Sequence, residues 1–311
     1  MHDISEIKVS APGSIMLMGE HAVLFGHRAI ACAVDKRIHL VLTPRADQQV
    51  IIQSSLADYQ SDLDTLLEDG RLTFVLYAIR QVRVHLRAGF DLSIQAEFSH
   101  TVGLGSSAAV TAALVKALSV YCGESLSEDA LFSRALAVIH GVQGRGSGTD
   151  LAASVWGGLI AYTVEPRQIT PLSGLPPISL VYAGYKTKTP DVLAKVAEQS
   201  AAFPEIYQAI YRLMHTTACE AEAAITQQDW VSLGRLMNIY QGLMDALGVN
   251  DFALSDIIYT MRASSDIYGA KISGSGLGDC VIGLGIDVTL PLNYESIPVS
   301  ISKAGVVCHV D

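Results

Sequence analysis

The segment VGLGSSAAVTAALVK, residues 102–116, decides the fold because it joins a glycine-serine turn directly to a long Ala/Leu/Val run. A helix that begins here directs free backbone N–H groups and the positive end of its dipole toward the turn, where an anion can bind. Gly103 and Gly105 allow the left-handed backbone of a tight phosphate-binding loop. The hydroxyls of Ser106 and Ser107 can cap the helix, bind phosphate oxygens or ligate Mg²⁺. The alternative is an ordinary capped helix, for which Ser-Ser is a common start.

A second glycine-rich turn, KISGSGLGDC at residues 271–280, lies between a strand-like segment and an apolar run. Turns that leave a strand often need glycine, so this loop alone is weak evidence for a ligand site. Neither loop has the Gly-x-Gly-x-x-Gly pattern of a dinucleotide fold, and no Gly-Lys-Ser/Thr of a Walker loop follows either one. The sequence therefore predicts that any nucleotide binds on a different scaffold.

The composition limits the class of protein. The chain has 311 residues, of which 50% are hydrophobic, enough for two packed lobes. Its formal net charge of −10 argues against a nucleic-acid partner, which needs a basic face. No apolar run reaches the length of a membrane span, and the N-terminus lacks the features of a signal peptide, so we expect a cytoplasmic protein without a membrane partner. Five scattered cysteines favour reduced thiols over disulfides or zinc sites.

Hydrophobic periodicity predicts an α+β chain in which strands and helices do not alternate regularly. Strands are predicted at 7–11, 28–42, 50–53, 91–97, 158–164 and 178–183, and around residues 270, 280, 299 and 307. Helices are predicted at 106–122, 127–140, 190–201, 205–226, 229–247 and 251–264, with a short helix opened by GSGTD at 146–150. The proline-containing stretch 168–177 is the predicted linker, which divides the chain into domains 1–170 and 171–311.

Asp150 lies in the glycine-rich segment HGVQGRGSGTDLAASVWGG, residues 140–158. Such a density of glycine indicates that the backbone closely approaches a ligand or another segment. In the first turn of a helix a carboxylate is easily held ionised, so Asp150 can serve as a base or an electrostatic anchor for a substrate hydroxyl. The alternative is a helix-capping aspartate.

Two further pairs of residues are weaker candidates. Glu20 and His21 end the strand-like part of SAPGSIMLMGEHAVLFG, residues 10–26, and can orient a polar substrate; a solvated strand end is the alternative. Lys186 and Lys188 stand between a predicted strand and a predicted helix, and can contact an anionic substrate; a solvated turn is an equal alternative.

Three segments in this order, APGSIMLMGEHAVLFG, VGLGSSAAVTAALVKAL and KISGSGLGDC, resemble the motifs of the GHMP small-molecule kinases. Within that superfamily, GEHAV at 19–23 and LGRLMNIYQGLMDALGVN at 233–250 are similar to mevalonate kinases. The resemblance implies an ATP- and Mg²⁺-dependent kinase that phosphorylates mevalonate to 5-phosphomevalonate in isoprenoid biosynthesis. Phosphomevalonate kinase or a sugar kinase is the alternative activity, and a non-catalytic nucleotide or metabolite sensor is the alternative from another class.

The resemblance also implies a fold and a set of roles. It implies an N-terminal domain with a left-handed β-α-β unit, a ferredoxin-like C-terminal domain and an active site between them. A homodimer is one oligomeric state that the family suggests. The ATP phosphates would be wrapped by Gly103, Leu104, Gly105, Ser106, Ser107 and Ala108, with Ser107 touching Mg²⁺. The remaining roles would fall to Asp150 as the catalytic aspartate, to Gly274, Ser275 and Gly276 as the phosphate and substrate loop, and to Glu20, His21 and Thr189 as acceptor contacts.

The chain departs from the mevalonate kinase pattern in three places. Ser14 stands where those kinases usually carry lysine, so either another cation, Lys8 or Arg145, replaces it, or the catalytic aspartate works without one. The usual magnesium-binding glutamate falls near Leu136, which leaves phosphates, a serine and water, or Asp150, to hold the ion. The sequences GDC at 278–280 and QGRGSGTD at 143–150 look more like phosphomevalonate kinase. Convergence of Arg145, Lys186 and Lys188 on the acceptor pocket would indicate that more highly charged substrate.

Overall fold

Two β-sheets carry the three motifs. The computed structural model describes residues 5–99, 102–287 and 293–311. The strands of the first sheet are β1 (Ile7–Met18), β2 (Ala29–Pro44), β3 (Gln49–Ser54), β4 (Asp58–Asp62), β5 (Phe90–Ala96), β6 (Leu159–Thr163), β7 (Gln168–Leu172) and β12 (Val307–Val310). The strands of the second sheet are β8 (Ile178–Lys186), β9 (Ile267–Ser273), β10 (Gly278–Gly285) and β11 (Glu295–Ile297).

Helices cover both sheets. They are α1 (Thr73–Val82), α2 (Ser106–Tyr121), α3 (Glu128–Gln143), α4 (Thr149–Trp156), α5 (Thr189–Ala202), α6 (Pro204–Thr226), α7 (Trp230–Ala246) and α8 (Phe252–Arg262). Short 3-10 helices cover Ala22–Phe25 and Arg83–His85. The predicted α+β class is confirmed.

The differences from the predicted elements have local causes. Helix α1 was not predicted because its sequence, TFVLYAIRQV, is rich in β-branched and aromatic residues. Strand β4, DYQSD, was missed because its residues are polar. The predicted linker 168–177 is wrong in its first half, since residues 168–172 form β7 and pair with β6. Pro171 is tolerated there because β7 lies at an edge of the sheet. The strand predicted around residue 299 lies earlier, at β11.

The first sheet has the order β12-β1-β2-β5-β3-β4, and β6 and β7 extend it from β2. The long strand β2 pairs with β6 through its first half and with β5 through its second half. All of these pairs are antiparallel except β3 with β5. Strand β12 pairs with β1, so the C-terminal end of the chain returns to the first sheet. The division into domains 1–170 and 171–311 remains a prediction.

Helix α2 lies at the centre of the helical layer on the first sheet. It contacts β1, β2 and the helices α1, α3 and α4. Its alanine-rich sequence is buried around most of its circumference, as expected of a helix without a polar face. Small side chains allow this close packing, so the N-terminus of α2 is held firmly at the end of β1.

Strand β1 contributes one face to each of two hydrophobic cores. Val9 and Ala11 pack into the core beneath α1–α4, whereas Ile15 and Leu17 pack into the core of the second sheet and α5–α8. Side chains alternate across a strand, and a register irregularity between Pro12 and Ser14 accompanies the change of face. Side chains of β1 therefore pack in both hydrophobic cores, and the strand connects the two layers near the loops that carry the motifs.

A buried ion pair joins the loop after β1 to β9. The Lys271 ammonium donates hydrogen bonds to Glu20 Oε1 and to the Ile272 carbonyl, and the side chains of both charged residues are at most 2% exposed. The hydroxyl of Tyr240 donates to the Glu20 carbonyl at 3.1 Å and accepts from the Gly19 N–H at 2.9 Å. Burial raises the pKa of Glu20 and lowers that of Lys271, while their mutual attraction opposes both shifts.

We expect Lys271→Met to lower the free energy of unfolding by about 3–5 kcal/mol, because it leaves the Glu20 carboxylate buried without its counter-charge. Urea unfolding followed by circular dichroism measures the loss. The double variant Glu20→Gln/Lys271→Met removes both charges and should recover most of the stability. A loss of less than about 1 kcal/mol in the single variant would contradict the role given to this pair.

Candidate active site

The glycine loop before α2 is shaped by two close approaches. Gly103 and Gly105 have φ values of 32° and 62°, in the left-handed region that the sequence predicts. A methyl group on Gly103 would lie 1.8 Å from Asp279 Oδ1, and one on Gly105 would lie 2.1 Å from Ser14 Oγ. Both positions therefore need glycine for space as well as for conformation.

The six predicted phosphate-binding residues present mainly backbone to the site. The Leu104 side chain is buried in the core, and its carbonyl accepts a hydrogen bond from the Ser14 N–H at 3.0 Å. Ala108 is also buried, one turn into α2. Ser106 and Ser107 are partly exposed at the start of the helix. The N-cap residue is Gly105, which has no side chain to cap the first backbone N–H groups. This arrangement leaves the helix N-terminus available to an anion.

Asp150 lies in the first turn of α4, beside the glycine loop. Its Oδ1 accepts a hydrogen bond from Ser14 Oγ at 2.9 Å, and its Cβ is 3.5 Å from the position of a methyl group on Gly105. The N-cap of α4 is Gly148, so the capping role considered for Asp150 is wrong. Burial raises the pKa of Asp150, while the Ser14 hydrogen bond and the Lys186 charge oppose that shift.

Asp279 is an acidic residue of the site that was not selected from the sequence. Its Oδ2 lies 3.0 Å from Lys186 Nζ, and its Oδ1 is buried without a hydrogen-bond partner. Burial raises the pKa of this carboxyl group and the lysine opposes the shift; the negative charge of Asp279 in turn raises the pKa of Asp150. The signal in the sequence is an acidic residue inside the glycine-rich turn 271–280.

The substitute cations predicted for the position of Ser14 need correction. Lys8 lies at the other end of β1, where it pairs with Glu6 and Asp311 and is 48% exposed, so it does not replace the missing lysine. Arg145 is exposed in the loop between α3 and α4. The cation that acts on Asp150 is Lys186.

The third motif contacts the first. The Ser275 carbonyl lies 2.8 Å from Nε2 of His21, and the Ser273 hydroxyl donates to the Met16 carbonyl at 3.0 Å. Gly274 and Gly276 have φ values of 98° and 86°, in the left-handed region. The loop predicted to support phosphate and substrate is thus fastened to the end of β1.

The three predicted acceptor contacts have different surroundings. Glu20 and His21 are 3% and 5% exposed, so the solvated strand end is wrong. Lys271 holds Oε1 of the Glu20 carboxylate, Oε2 has no hydrogen-bond partner, and the acceptor contact of Glu20 stays a prediction. Burial lowers the pKa of His21, and its Nδ1 has no hydrogen-bond partner. Thr189 is exposed at the first position of α5.

The described residues contain no group of three or more His, Cys, Asp or Glu side chains that could hold a metal ion. A magnesium ion needs fewer protein ligands, because it commonly binds one or two carboxylates together with substrate phosphates. The unpartnered oxygen of Asp279 beside the glycine loop fits that requirement. Within the same described ranges, no helix is both long and apolar enough to cross a membrane.

Comparison with known proteins agrees with this geometry. The models "GHMP kinases N terminal domain" and "GHMP kinases C terminal" match residues 73–158 and 221–287. A mevalonate kinase of Aeropyrum pernix is 31% identical over 305 residues, which cover 96% of this chain and 94% of that protein. A mevalonate kinase of Methanothermobacter thermautotrophicus is 32% identical over 288 residues, with 91% and 93% covered. This chain belongs to the GHMP kinase family.

Solved structures confirm the predicted fold of this kinase. A Lin0012 protein from Listeria innocua superimposes with a TM-score of 0.87 and 22% identity, covering 98% of this chain and 99% of that one. The L. major mevalonate kinase in complex with R-mevalonate gives a TM-score of 0.77 and 23% identity, with 96% of each chain covered. At these identities the likeness concerns the fold alone.

We expect Gly103→Ala to raise the KM for ATP at least about tenfold, because the added methyl group collides with Asp279 and displaces the phosphate loop. Steady-state kinetics with varied ATP measure the change. Gly123→Ala is the matched control, since Gly123 also has a left-handed φ, of 77°, but open space around its Cβ position. Equal effects of the two substitutions would show that only backbone strain matters.

The pH dependence should respond to Ser14. Asp150 must be ionised to accept a proton, so kcat/KM falls as the pH drops through its raised pKa. Ser14→Ala removes a hydrogen bond that favours the charged form, and we expect the acidic limb of the pH profile to move up by about one pH unit. Ser154→Ala, which removes another buried hydroxyl between α4 and β1, should leave it in place. A downward shift in Ser14→Ala would contradict Asp150 as the base.

Proposed function

We propose that this kinase transfers the γ-phosphoryl group of ATP to the primary hydroxyl of mevalonate, producing 5-phosphomevalonate. The observation that carries the proposal is the carboxylate of Asp150, held by Ser14 against the glycine loop at the N-terminus of α2. The mevalonate kinases at 31% and 32% identity, which align over more than nine-tenths of this chain, support the choice of acceptor.

The proposed reaction is an in-line displacement. The acceptor oxygen forms a bond to the γ-phosphorus while the bond from that phosphorus to the β,γ-bridging oxygen breaks. The hydroxyl proton passes to Asp150, and ADP leaves with the electron pair of the broken bond. The backbone N–H groups at the start of α2 bind the phosphate oxygens, and Ser14 keeps the carboxylate oriented. Glu20, His21 and Thr189 remain the proposed acceptor contacts.

We propose that Ser107 Oγ and Asp279 Oδ1 hold Mg²⁺ together with the phosphates of ATP. The ion would supply positive charge to the β- and γ-phosphate oxygens. The support for Asp279 is its buried carboxylate oxygen without a hydrogen-bond partner, which lies against the glycine loop. This carboxylate takes the place of the glutamate that the chain lacks near Leu136.

The exposure of Arg145 and Lys188 favours mevalonate over phosphomevalonate as the acceptor. Phosphomevalonate carries additional negative charge and requires positive charge in the pocket. Of the three basic residues expected to mark such a pocket, Arg145 and Lys188 are exposed, and Lys186 lies at the site in an ion pair with Asp279. A cytoplasmic location and a homodimer belong to the same proposal.

A carboxylate beside the phosphate site also argues against a non-catalytic sensor, because it would repel the ligand without serving its binding. We expect Asp150→Asn to lower kcat at least about 1,000-fold while the Kd for ATP changes less than about threefold. ADP release measures turnover, and calorimetric titration measures binding. Turnover at the wild-type rate in Asp150→Asn would overturn the catalytic assignment.

The acceptor is tested by ADP release from wild-type protein with ATP, Mg²⁺ and, separately, mevalonate, 5-phosphomevalonate, galactose and homoserine. Turnover with mevalonate alone is the expected outcome. Turnover with a different acceptor would replace the proposed substrate but keep the enzyme class. ATP binding without turnover on any of the four would favour an untested acceptor or the sensor.

A further inference from the structure

Lys186 is paired with a buried carboxylate at the proposed phosphoryl-transfer site. Its ammonium is 3.0 Å from Asp279 Oδ2 and also acts on Asp150. Phosphoryl transfer brings further negative charge, on the phosphate oxygens, to the same place, so the reaction needs cations there.

The fold places Lys186 by strand pairing. Lys186 is the last residue of β8, and its Cα lies opposite Gly278 at the start of β10. The register between β8 and β10 shifts between Gly278 and Cys280, where the single β10 residue Asp279 faces three residues of β8, so the bulge lies in β8. Beside this bulge, the Asp279 carboxylate lies against the ammonium of Lys186.

The β10 residue that faces this bulge has a strained backbone. Asp279 has a φ of 72°, a left-handed conformation that is uncommon for a residue other than glycine. Its ion pair with Lys186 is a weak compensation for this strain, because the lysine side chain is 34% exposed and such pairs are screened by water. Strain that is not offset locally is typical of functional sites.

The same carboxylate reaches the glycine loop. A methyl group on Gly103 would lie 1.8 Å from Oδ1 and 2.4 Å from Oδ2 of Asp279, so the absence of a side chain at Gly103 is what admits the carboxylate. The carboxylate of Asp279 therefore lies between the ammonium of Lys186 and the loop proposed to bind the ATP phosphates. Gly105 of the same loop lies against Ser14 and Asp150.

We propose that Lys186 is a catalytic residue that contacts the transferring phosphoryl group, and that Asp279 is the residue that positions it. The lysine is the last residue of β8 in the second sheet. It supplies positive charge to the γ-phosphate oxygens while the proton of the acceptor passes to Asp150. This inference rests on the proposed kinase reaction and adds a residue to it.

We expect Lys186→Met to lower kcat about 100-fold, with the KM for the acceptor and the Kd for ATP each changed less than about threefold. Lys186→Arg, which keeps the charge, should retain at least about a tenth of wild-type kcat. Lys195→Met removes a charge from an exposed position of α5 and should leave kcat unchanged. Far-ultraviolet circular dichroism and thermal melting verify that each variant is folded.

Binding of a transition-state mimic gives a readout independent of turnover. In the presence of Mg²⁺ and the acceptor, ADP–aluminium fluoride imitates the phosphoryl group in flight, whereas ADP does not. Calorimetry should show that Lys186→Met weakens binding of ADP–aluminium fluoride by about 100-fold and leaves ADP binding within threefold. Equal losses for both ligands would assign the lysine to ground-state binding and overturn the inference.

The positioning role is tested with Asp279→Asn, because asparagine tolerates a left-handed backbone and keeps the shape of the side chain. We expect kcat to fall about tenfold at saturating Mg²⁺ and ATP. Saturating Mg²⁺ offsets the loss of Asp279 as a proposed metal ligand. Under that condition the double variant Lys186→Met/Asp279→Asn should turn over as slowly as Lys186→Met alone, since the remaining effect of the aspartate acts through the lysine. Multiplicative losses in the double variant would show that the two residues act separately.

The outcomes separate this inference from the proposed function. If the wild-type protein releases no ADP with any acceptor, or if Asp150→Asn is fully active, the proposed reaction itself is contradicted. An active wild-type protein whose Lys186→Met variant retains kcat within threefold would leave that reaction intact and overturn only the role of the lysine. A Lys186→Met variant with a raised acceptor KM and unchanged kcat would also overturn it, in favour of substrate binding. If Lys186→Met does not fold, Lys186→Gln takes its place with the same expected losses.

Discussion

The buried ion pair between Glu20 and Lys271 is the interaction on which the arrangement of the site depends. A carboxylate and an ammonium that are both withdrawn from water are tolerated only when they meet in good geometry with further hydrogen bonds. Here the lysine contacts one carboxylate oxygen and a backbone carbonyl. The hydroxyl of Tyr240 bonds to the Gly19 N–H and to the Glu20 carbonyl. The ion pair therefore ties the loop after β1 to strand β9, and the first motif lies against the third.

The charges beside the glycine loop are less well balanced than those of the buried ion pair. Asp279 is buried and Asp150 is partly buried, and the negative charge of Asp279 raises the pKa of Asp150. Two such carboxylates beside the proposed phosphate loop destabilise the ligand-free protein, although the Ser14 hydroxyl and the partly exposed Lys186 offset part of that cost. A site of this kind is suited to a reaction that brings its own cation and moves a proton.

The contacts around the glycine loop explain why the sequence reveals the residues of the loop but not the side chains that pack against it. Gly103 and Gly105 are conspicuous because left-handed turns before a helix select glycine. The side chains that fill the space left by these glycines, Asp279 and Ser14, come from 176 residues after Gly103 and 91 residues before Gly105. Local patterns hold no information about contacts over such separations. For the same reason Lys8 was a reasonable substitute cation by sequence position but lies at the far end of its strand.

The sequence by itself determined the α+β class, most of the helices and strands, the three glycine-containing motifs and the place of Asp150 in the first turn of a helix. These follow from periodicity, turn chemistry and motif order, which are properties of short segments. Only the tertiary structure decided that Glu20 is paired with Lys271, that residues 168–172 form an edge strand, and that Lys186 and Asp279 lie at the site of Asp150. Those features arise from strand register and from the burial of charge, because both depend on which distant segments the fold brings together.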